Sequence, residues 1–162
     1  MSNQDKWDRF YLDLARFTAE RLSKDPSTKV GAVVVNYELN REFIGYNGFP
    51  RKIIDSEDRY LDRDFKLLTV VHAEVNAILK AGDYSRGATL YVWPSFSLPP
   101  ICQDCVKLAI QQGIKEIVGY LPDPNNERVK RWQKSMDHSK LMCEEAGIIY
   151  RGIEEIEQEK RM

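Results

Sequence analysis

Two short clusters hold the residue types that can do chemistry. One is His72-Ala73-Glu74 and the other is Cys102-Gln103-Asp104-Cys105. Two residues separate the cysteines, so both sulfurs can reach one ion from the first turn of a helix. A helix start offers free N–H groups and the positive end of the dipole. Both favour thiolate, the form of cysteine that binds zinc. Soft sulfur combined with an imidazole selects zinc over magnesium or calcium. A four-coordinate site needs more than two cysteines, and His72 is the obvious further donor. Three protein ligands leave one tetrahedral position open, which distinguishes a catalytic zinc from a closed structural one. A water held there ionises near neutral pH. Glu74, two residues beyond His72, can address that water without ligating the metal. It can take the water's proton and later deliver one to a leaving nitrogen.

Taken singly, each cluster has other readings. A CxxC pair in an α/β protein can be a redox couple. Here Ile101 precedes the pair and Gln103-Asp104 fills it, without the aromatic and small residues of the thioredoxin type. An isolated histidine before a helix is commonly a surface or capping residue, and a lone HxE carries little information. The joint pattern is far more specific: HxE, a strand, then a proline-flanked CxxC opening a helix. His138 and Cys143 lie five apart on a later helix, which is not one face. Cys143 reads as a small core residue and His138 as a solvated one. Trp93 and Phe96 either line a pocket or pack a loop.

The elements that must position these residues follow from apolar periodicity. Trp7, Phe10, Tyr11, Leu14, Ala15 and Leu22 fall at helical spacing and predict a helix over Lys6 to Ser23, ended by the turn Asp25-Pro26-Ser27. Val30 to Val35 reads as a buried strand, Asn36 to Asn40 as a hairpin turn and Glu42 to Tyr46 as the returning strand. Asn47 to about Arg63 reads as polar and irregular. A helix follows from about His72 to Ala81, then a strand over Ala88 to Val92 and a proline- and serine-rich loop over Pro94 to Pro100. Gln103 to Gln112 is a helix stopped by Gly113, and Glu116 to Tyr120 a strand. Glu127 to Ala146 is a long helix stopped by Gly147, and Ile148 to Tyr150 a last strand. The charged tail from Glu154 to Met162 is expected to be helical at best, or frayed. Strands alternating with helices in the second half imply parallel neighbours joined by crossover helices. The expected architecture is a three-layer α/β/α sandwich around a five-stranded mixed sheet.

Composition narrows the partners. The 162 residues suit one domain with a sizeable core, and 43% hydrophobic with 30% charged residues is ordinary for a globular protein. No apolar stretch approaches the roughly 20 residues that span a bilayer. The first ten residues are polar and charged, unlike a secretory signal, so the chain is expected in the cytoplasm with no membrane partner. Lysine plus arginine total 24 against 25 for aspartate plus glutamate, without the cationic surplus that nucleic-acid binding needs. A small anionic ligand, needing only a few placed donors, stays open. Three cysteines make a poor disulfide framework.

The HxE and CxxC pair is the signature pattern of zinc nucleobase deaminases, and the chain resembles the deoxycytidylate deaminase family of the cytidine deaminase-like superfamily. The likeness runs from about Trp7 to Arg151. It is carried by Asp25-Pro-Ser-Thr-Lys-Val-Gly-Ala32, Gly45-Tyr-Asn-Gly-Phe-Pro50, His72-Ala-Glu-Val-Asn-Ala-Ile78, the stretch Cys102 to Val118 and Ala146-Gly-Ile148. Ile101 stands where the family usually has proline, with Pro99-Pro100 just before it, and Trp93 to Pro100 is longer than the usual connection. Arg51 to Leu68 follows no family pattern, and its lack of His and Cys leaves no ligands there for the auxiliary zinc of some relatives.

The resemblance implies a cytidine deaminase-like sandwich that holds zinc through His72, Cys102 and Cys105, with Glu74 as proton shuttle. The implied reaction takes dCMP to dUMP and ammonia, feeding thymidylate synthesis. Asn47 is expected to bond the sugar hydroxyl and the main chain of Ala73 the pyrimidine carbonyl. Asn47 can also be read as a loop residue holding a left-handed backbone. Lys29 and Arg51 are candidates for the phosphate, and each reads equally as a solvated surface charge. The resemblance further implies a homo-oligomer, a hexamer for preference, with dCTP and dTTP as effectors. The rivals are a deaminase of another free pyrimidine, a tRNA or single-stranded DNA deaminase, and a structural zinc module. The neutral charge weighs against the second of these and the presence of Glu74 against the third.

Overall fold

The computed structural model describes residues 1–156. Its elements in chain order are α1 (Asn3–Leu22), β1 (Gly31–Asn36), β2 (Arg41–Tyr46), α2 (Glu57–Leu61), α3 (Arg63–Thr69), α4 (Ala73–Ala81), β3 (Thr89–Trp93), α5 (Gln103–Gln111), β4 (Glu116–Tyr120), α6 (Glu127–Ala146) and β5 (Ile149–Ile153). They form the expected mixed sheet of five strands in the order β2-β1-β3-β4-β5. The hairpin β1–β2 and the pair β1–β3 are antiparallel, and β3, β4 and β5 run parallel. From residue 157 on, the charged tail lies outside the described residues.

Strand alternation sends successive side chains to opposite faces of the sheet. Val33, Val35, Tyr91 and Val118 pack on one face with Tyr11, Leu12 and Ala15 of α1. Ala32, Val34, Leu90, Val92 and Ile117 pack on the other, with Ala77 and Ile78 of α4 and Val106 and Ala109 of α5. Cys143 of α6 joins this second core and is fully buried, as its reading as a core residue requires, whereas His138 is exposed. The close fit of α1 to the sheet depends on Gly31, where a Cβ would collide with the Ala15 carbonyl.

Three boundaries depart from expectation. Helix α1 starts at Asn3 because Ser2 and Asp5 close a reciprocal cap, Ser2 Oγ accepting from Asp5 N–H at 3.0 Å and Asp5 from Ser2 N–H at 2.9 Å. Strand β5 extends to Ile153 because β4 offers a parallel partner along its length. The stretch read as irregular contains α2, and α3 begins at its end in a segment with no assignment. Helix α3 buries no residue and α2 buries only Tyr60, so neither shows an apolar stripe in the sequence. Aromatic contact fixes them: Phe49 stacks on Tyr60 with ring centres 4.1 Å apart, and Phe65 meets Phe49 edge-on at 5.7 Å.

Candidate active site

Helices α4 and α5 bring their N-termini together, with His72 at the N-cap of α4 and Cys102 at the N-cap of α5. Cys105 is the third residue of α5. His72 Nδ1 lies 3.4 Å from Cys102 Sγ and 3.3 Å from Cys105 Sγ. All three donor atoms fall within 4.8 Å of one another. The two sulfurs and the nitrogen thus converge from two helix starts whose dipoles favour anionic donors. Donor type and convergence both fit zinc, as expected of these residues.

The local framework that places His72 is explicit. Gly48 and Val71 exchange two backbone hydrogen bonds, at 3.1 and 2.8 Å, so the loop after β2 pins the residue before His72. Asn76 Nδ2 donates to the Tyr46 carbonyl at 2.8 Å, tying α4 to the end of β2. Gly45 lets the two elements touch, because a Cβ there would meet the Ala73 carbonyl and the backbone of Ala77.

Electrostatics match the assembly. Cys102 is held far below the ordinary thiol range, at about 4, by the hydrogen bond from Cys105 and by His72. Cys105 is pushed up by that same bond and by burial. The Cys102 sulfur raises His72 to about 9. The Glu74 carboxyl is nearly buried, and loss of solvent pushes it up to about 7. A cation held by the triad would draw that carboxyl back down.

Glu74, His72, Cys102 and Ala73 line one cavity of 330 Å³, a size suited to a small molecule. Ala73 is the first residue of α4, where the main-chain N–H lacks an intrahelical acceptor. Asn47 also lines the cavity, and its backbone is not left-handed. Its Oδ1 accepts from Ser23 Oγ at 2.7 Å and Val30 N–H at 2.9 Å, and its Nδ2 donates to the Thr28 carbonyl at 2.8 Å. One Nδ2 hydrogen is left for a ligand. Phe96 lines the cavity, while Trp93 packs with the α1 core beneath the Arg16 guanidinium.

Neither expected phosphate residue lines the cavity: Lys29 Nζ donates to the Ser23 carbonyl at 2.6 Å, and Arg51 lies outside the lining. The cations that do are Arg63 and Lys66 of α3 and Arg128 and Arg131 of α6. The spacing of Arg128, Arg131 and Trp132 on one helix face was the available signal.

Comparisons with known proteins agree with this geometry. Residues 5–121 match the cytidine and deoxycytidylate deaminase zinc-binding region. The chain is 35% identical over 144 residues to an uncharacterized deaminase of Aliivibrio fischeri, covering 88% of this chain and 90% of that one. It is 33% identical over 154 residues to the deoxycytidylate deaminase of Mus musculus, covering 90% and 79%. Among solved structures, the dCMP deaminase of cyanophage S-TIM5 in complex with dCMP and dUMP shares the fold, with a TM-score of 0.65 and 24% identity over 94% of this chain and 99% of that one.

Proposed function

Since the chain belongs to the cytidine and deoxycytidylate deaminase family, we propose that it is a zinc-dependent hydrolase converting dCMP to dUMP and ammonia. The observation that carries this reading is one cavity lined by His72, Cys102 and the Glu74 carboxyl, with Cys105 completing the donor triad. Likeness to a deoxycytidylate deaminase over 90% of the chain supports dCMP over other pyrimidines.

His72, Cys102 and Cys105 hold the zinc, which supplies Lewis acidity that makes water nucleophilic at neutral pH. Everything else falls to the chain's own groups. The Ala73 N–H anchors the pyrimidine carbonyl, and the spare Nδ2 hydrogen of Asn47 donates to a sugar hydroxyl. Glu74 takes a proton from the attacking water and gives one to the ring nitrogen beside the amino-bearing carbon. It then moves the water's second proton to the amino group, which leaves as ammonia, so the ring gains one oxygen and loses one nitrogen. Burial raises the proton affinity of Glu74 and a cation at the triad would lower it, and these opposed effects set how readily the carboxyl takes and gives a proton.

Among the described residues no helix is long and apolar enough to cross a membrane. None of the three cysteines is in a disulfide, which suits a reducing cytoplasm, where we place the enzyme. Exposed Phe10 and Phe17 on α1 and Leu68 on α3 support assembly into a homo-oligomer, with the hexamer as the form proposed. Light scattering tests the assembly, and a micromolar monomer contradicts it. Regulation by dCTP and dTTP extends the same reading, and a hyperbolic turnover curve unmoved by either contradicts it. The enzymatic reading is tested by ammonia release from dCMP. Zinc-loaded protein should release one ammonia per dUMP formed, chelation should abolish release, and added zinc should restore it. No release from the zinc-loaded protein contradicts the reading.

A further inference from the structure

The chain is close to neutral, with 24 basic and 25 acidic residues. The cavity departs from that balance, with four cations among its lining residues against the carboxylates of Asp25 and Glu74. Lys66 is already committed: its Nζ lies 3.3 Å from Asp25 in a nearly buried pair and 2.8 Å from Ser27 Oγ. Arg128 donates to the Ser27 carbonyl at 2.7 Å and sits over the Phe96 ring at 5.8 Å. That acceptor is neutral, so the charge of Arg128 is uncompensated and its remaining N–H groups are available. Arg63 and Arg131 form no ion pair with a described acid.

Three arginines therefore line one cavity with His72 and Cys102 of the donor triad, each without an ion pair to a described acid. They come from two elements, α3 and α6, that the triad itself does not use. A 5′-monophosphate carries close to two negative charges and accepts forked hydrogen bonds from guanidinium. Resting on the nucleotide reading above, we infer that Arg63, Arg128 and Arg131 form the recognition site for a 5′-monophosphate and set the preference for nucleotide over nucleoside. Arg128 is held in place by Ser27 and Phe96. Arg63 and Arg131, without such restraints, supply the pairing that distinguishes the charged ligand. A nucleoside offers the three groups no anionic acceptor and forgoes their forked, charge-assisted bonds, so it is the poorer ligand.

Calorimetric titration of the zinc-loaded protein with dUMP, deoxyuridine and dCTP tests this. The parent should bind dUMP about 100-fold more tightly than deoxyuridine at low salt. Arg63→Ala and Arg131→Ala should each cut that ratio about tenfold, and the double variant should bring it near unity. Lys134→Ala, on α6 but outside the cavity lining, should leave it unchanged. Should an alanine variant fail to fold, Arg63→Lys and Arg131→Lys keep charge but lose the fork, and each should lower the ratio by a smaller factor. An unchanged ratio in the double alanine variant, or in both lysine variants, overturns the site. So does dCTP binding tenfold tighter than dUMP that the arginine variants abolish, or an arginine-dependent preference for an oligonucleotide. The two readings fail separately. Arginine-dependent dUMP binding without ammonia release from dCMP keeps the phosphate site and removes the deaminase. Equal deamination of dCMP and deoxycytidine, unaltered by the arginine variants, does the reverse.

Discussion

Glu74 and the three donor residues make separable demands. Glu74 carries protons but is not needed to hold the ion, so Glu74→Gln should keep both zinc and fold. Its turnover should fall by about 10²- to 10⁴-fold, the range of a general acid–base group, and towards the top because one carboxyl serves several transfers. Metal analysis with steady-state rates checks both halves, and near-normal turnover would remove the proposed role. Cys102→Ala takes away a donor and should lose zinc outright; full zinc content in that variant contradicts the triad. The convergence of these residues was legible in the sequence because HxE and CxxC each keep their members within a few residues at a helix start. Asn47 was legible only in part. Its loop motif drew attention to it, but not the three hydrogen bonds that bury it between Ser23, Thr28 and Val30. The cavity arginines were missed because their charges meet only after α3 and α6 fold over a common space.

Elements matter through how closely they approach. Gly45 brings β2 against α4 at the turn that carries Ala73, so Gly45→Ala must push the two apart. Overpacking of this kind costs about 1–3 kcal/mol, which corresponds to a fall in Tm of roughly 2–12 °C for a chain of this length. Because the displaced helix carries His72 at its cap, zinc should also be given up more readily to a chelator. Thermal unfolding and chelator competition check the pair of effects, and a variant equal to the parent in both would show that the contact is slack. Helix and strand order was readable because α1, α4 and α5 keep an apolar face and the inner strands β1, β3 and β4 are almost wholly buried. Helices α2 and α3 were not, since their position comes from Phe49, Tyr60 and Phe65 in mutual contact rather than from periodicity.

At the scale of the whole molecule, a polar network ties the first helix to the last strand. Buried Asp8 of α1 accepts from Arg151 of β5 at 2.8 and 3.1 Å and from Tyr91 of β3 at 2.8 Å. Burial alone would raise the Asp8 carboxyl, but the bonds from Arg151, Gln4 and Tyr91 outweigh it and hold the group below its ordinary value of 3.8. A carboxyl lowered on folding stabilises the protein above its unfolded pKa, and that contribution is lost as pH falls through the folded one. Asp8→Asn should therefore cost about 1–3 kcal/mol at pH 7. The gap to the parent should narrow below pH 3.8. Arg151 is partly exposed, so solvent screening favours the lower end of that range. Urea unfolding at neutral and acid pH checks it, and a gap that does not change with pH would contradict the network's role.

The fold places the Glu74 carboxyl, two of the three metal-donor residues and three arginines around one cavity. The chemistry at the triad is common to the family, so the substrate is where the account is most exposed. The most direct test is kcat/KM for dCMP, deoxycytidine, CMP, dCTP and cytosine on the zinc-loaded protein under one set of conditions. Turnover of dCMP should exceed that of deoxycytidine by about 100-fold or more, because only the nucleotide accepts charge-assisted bonds from the arginines, with cytosine and dCTP poorer still. Deoxycytidine turned over as well as dCMP, or only oligonucleotides reacting, would contradict it.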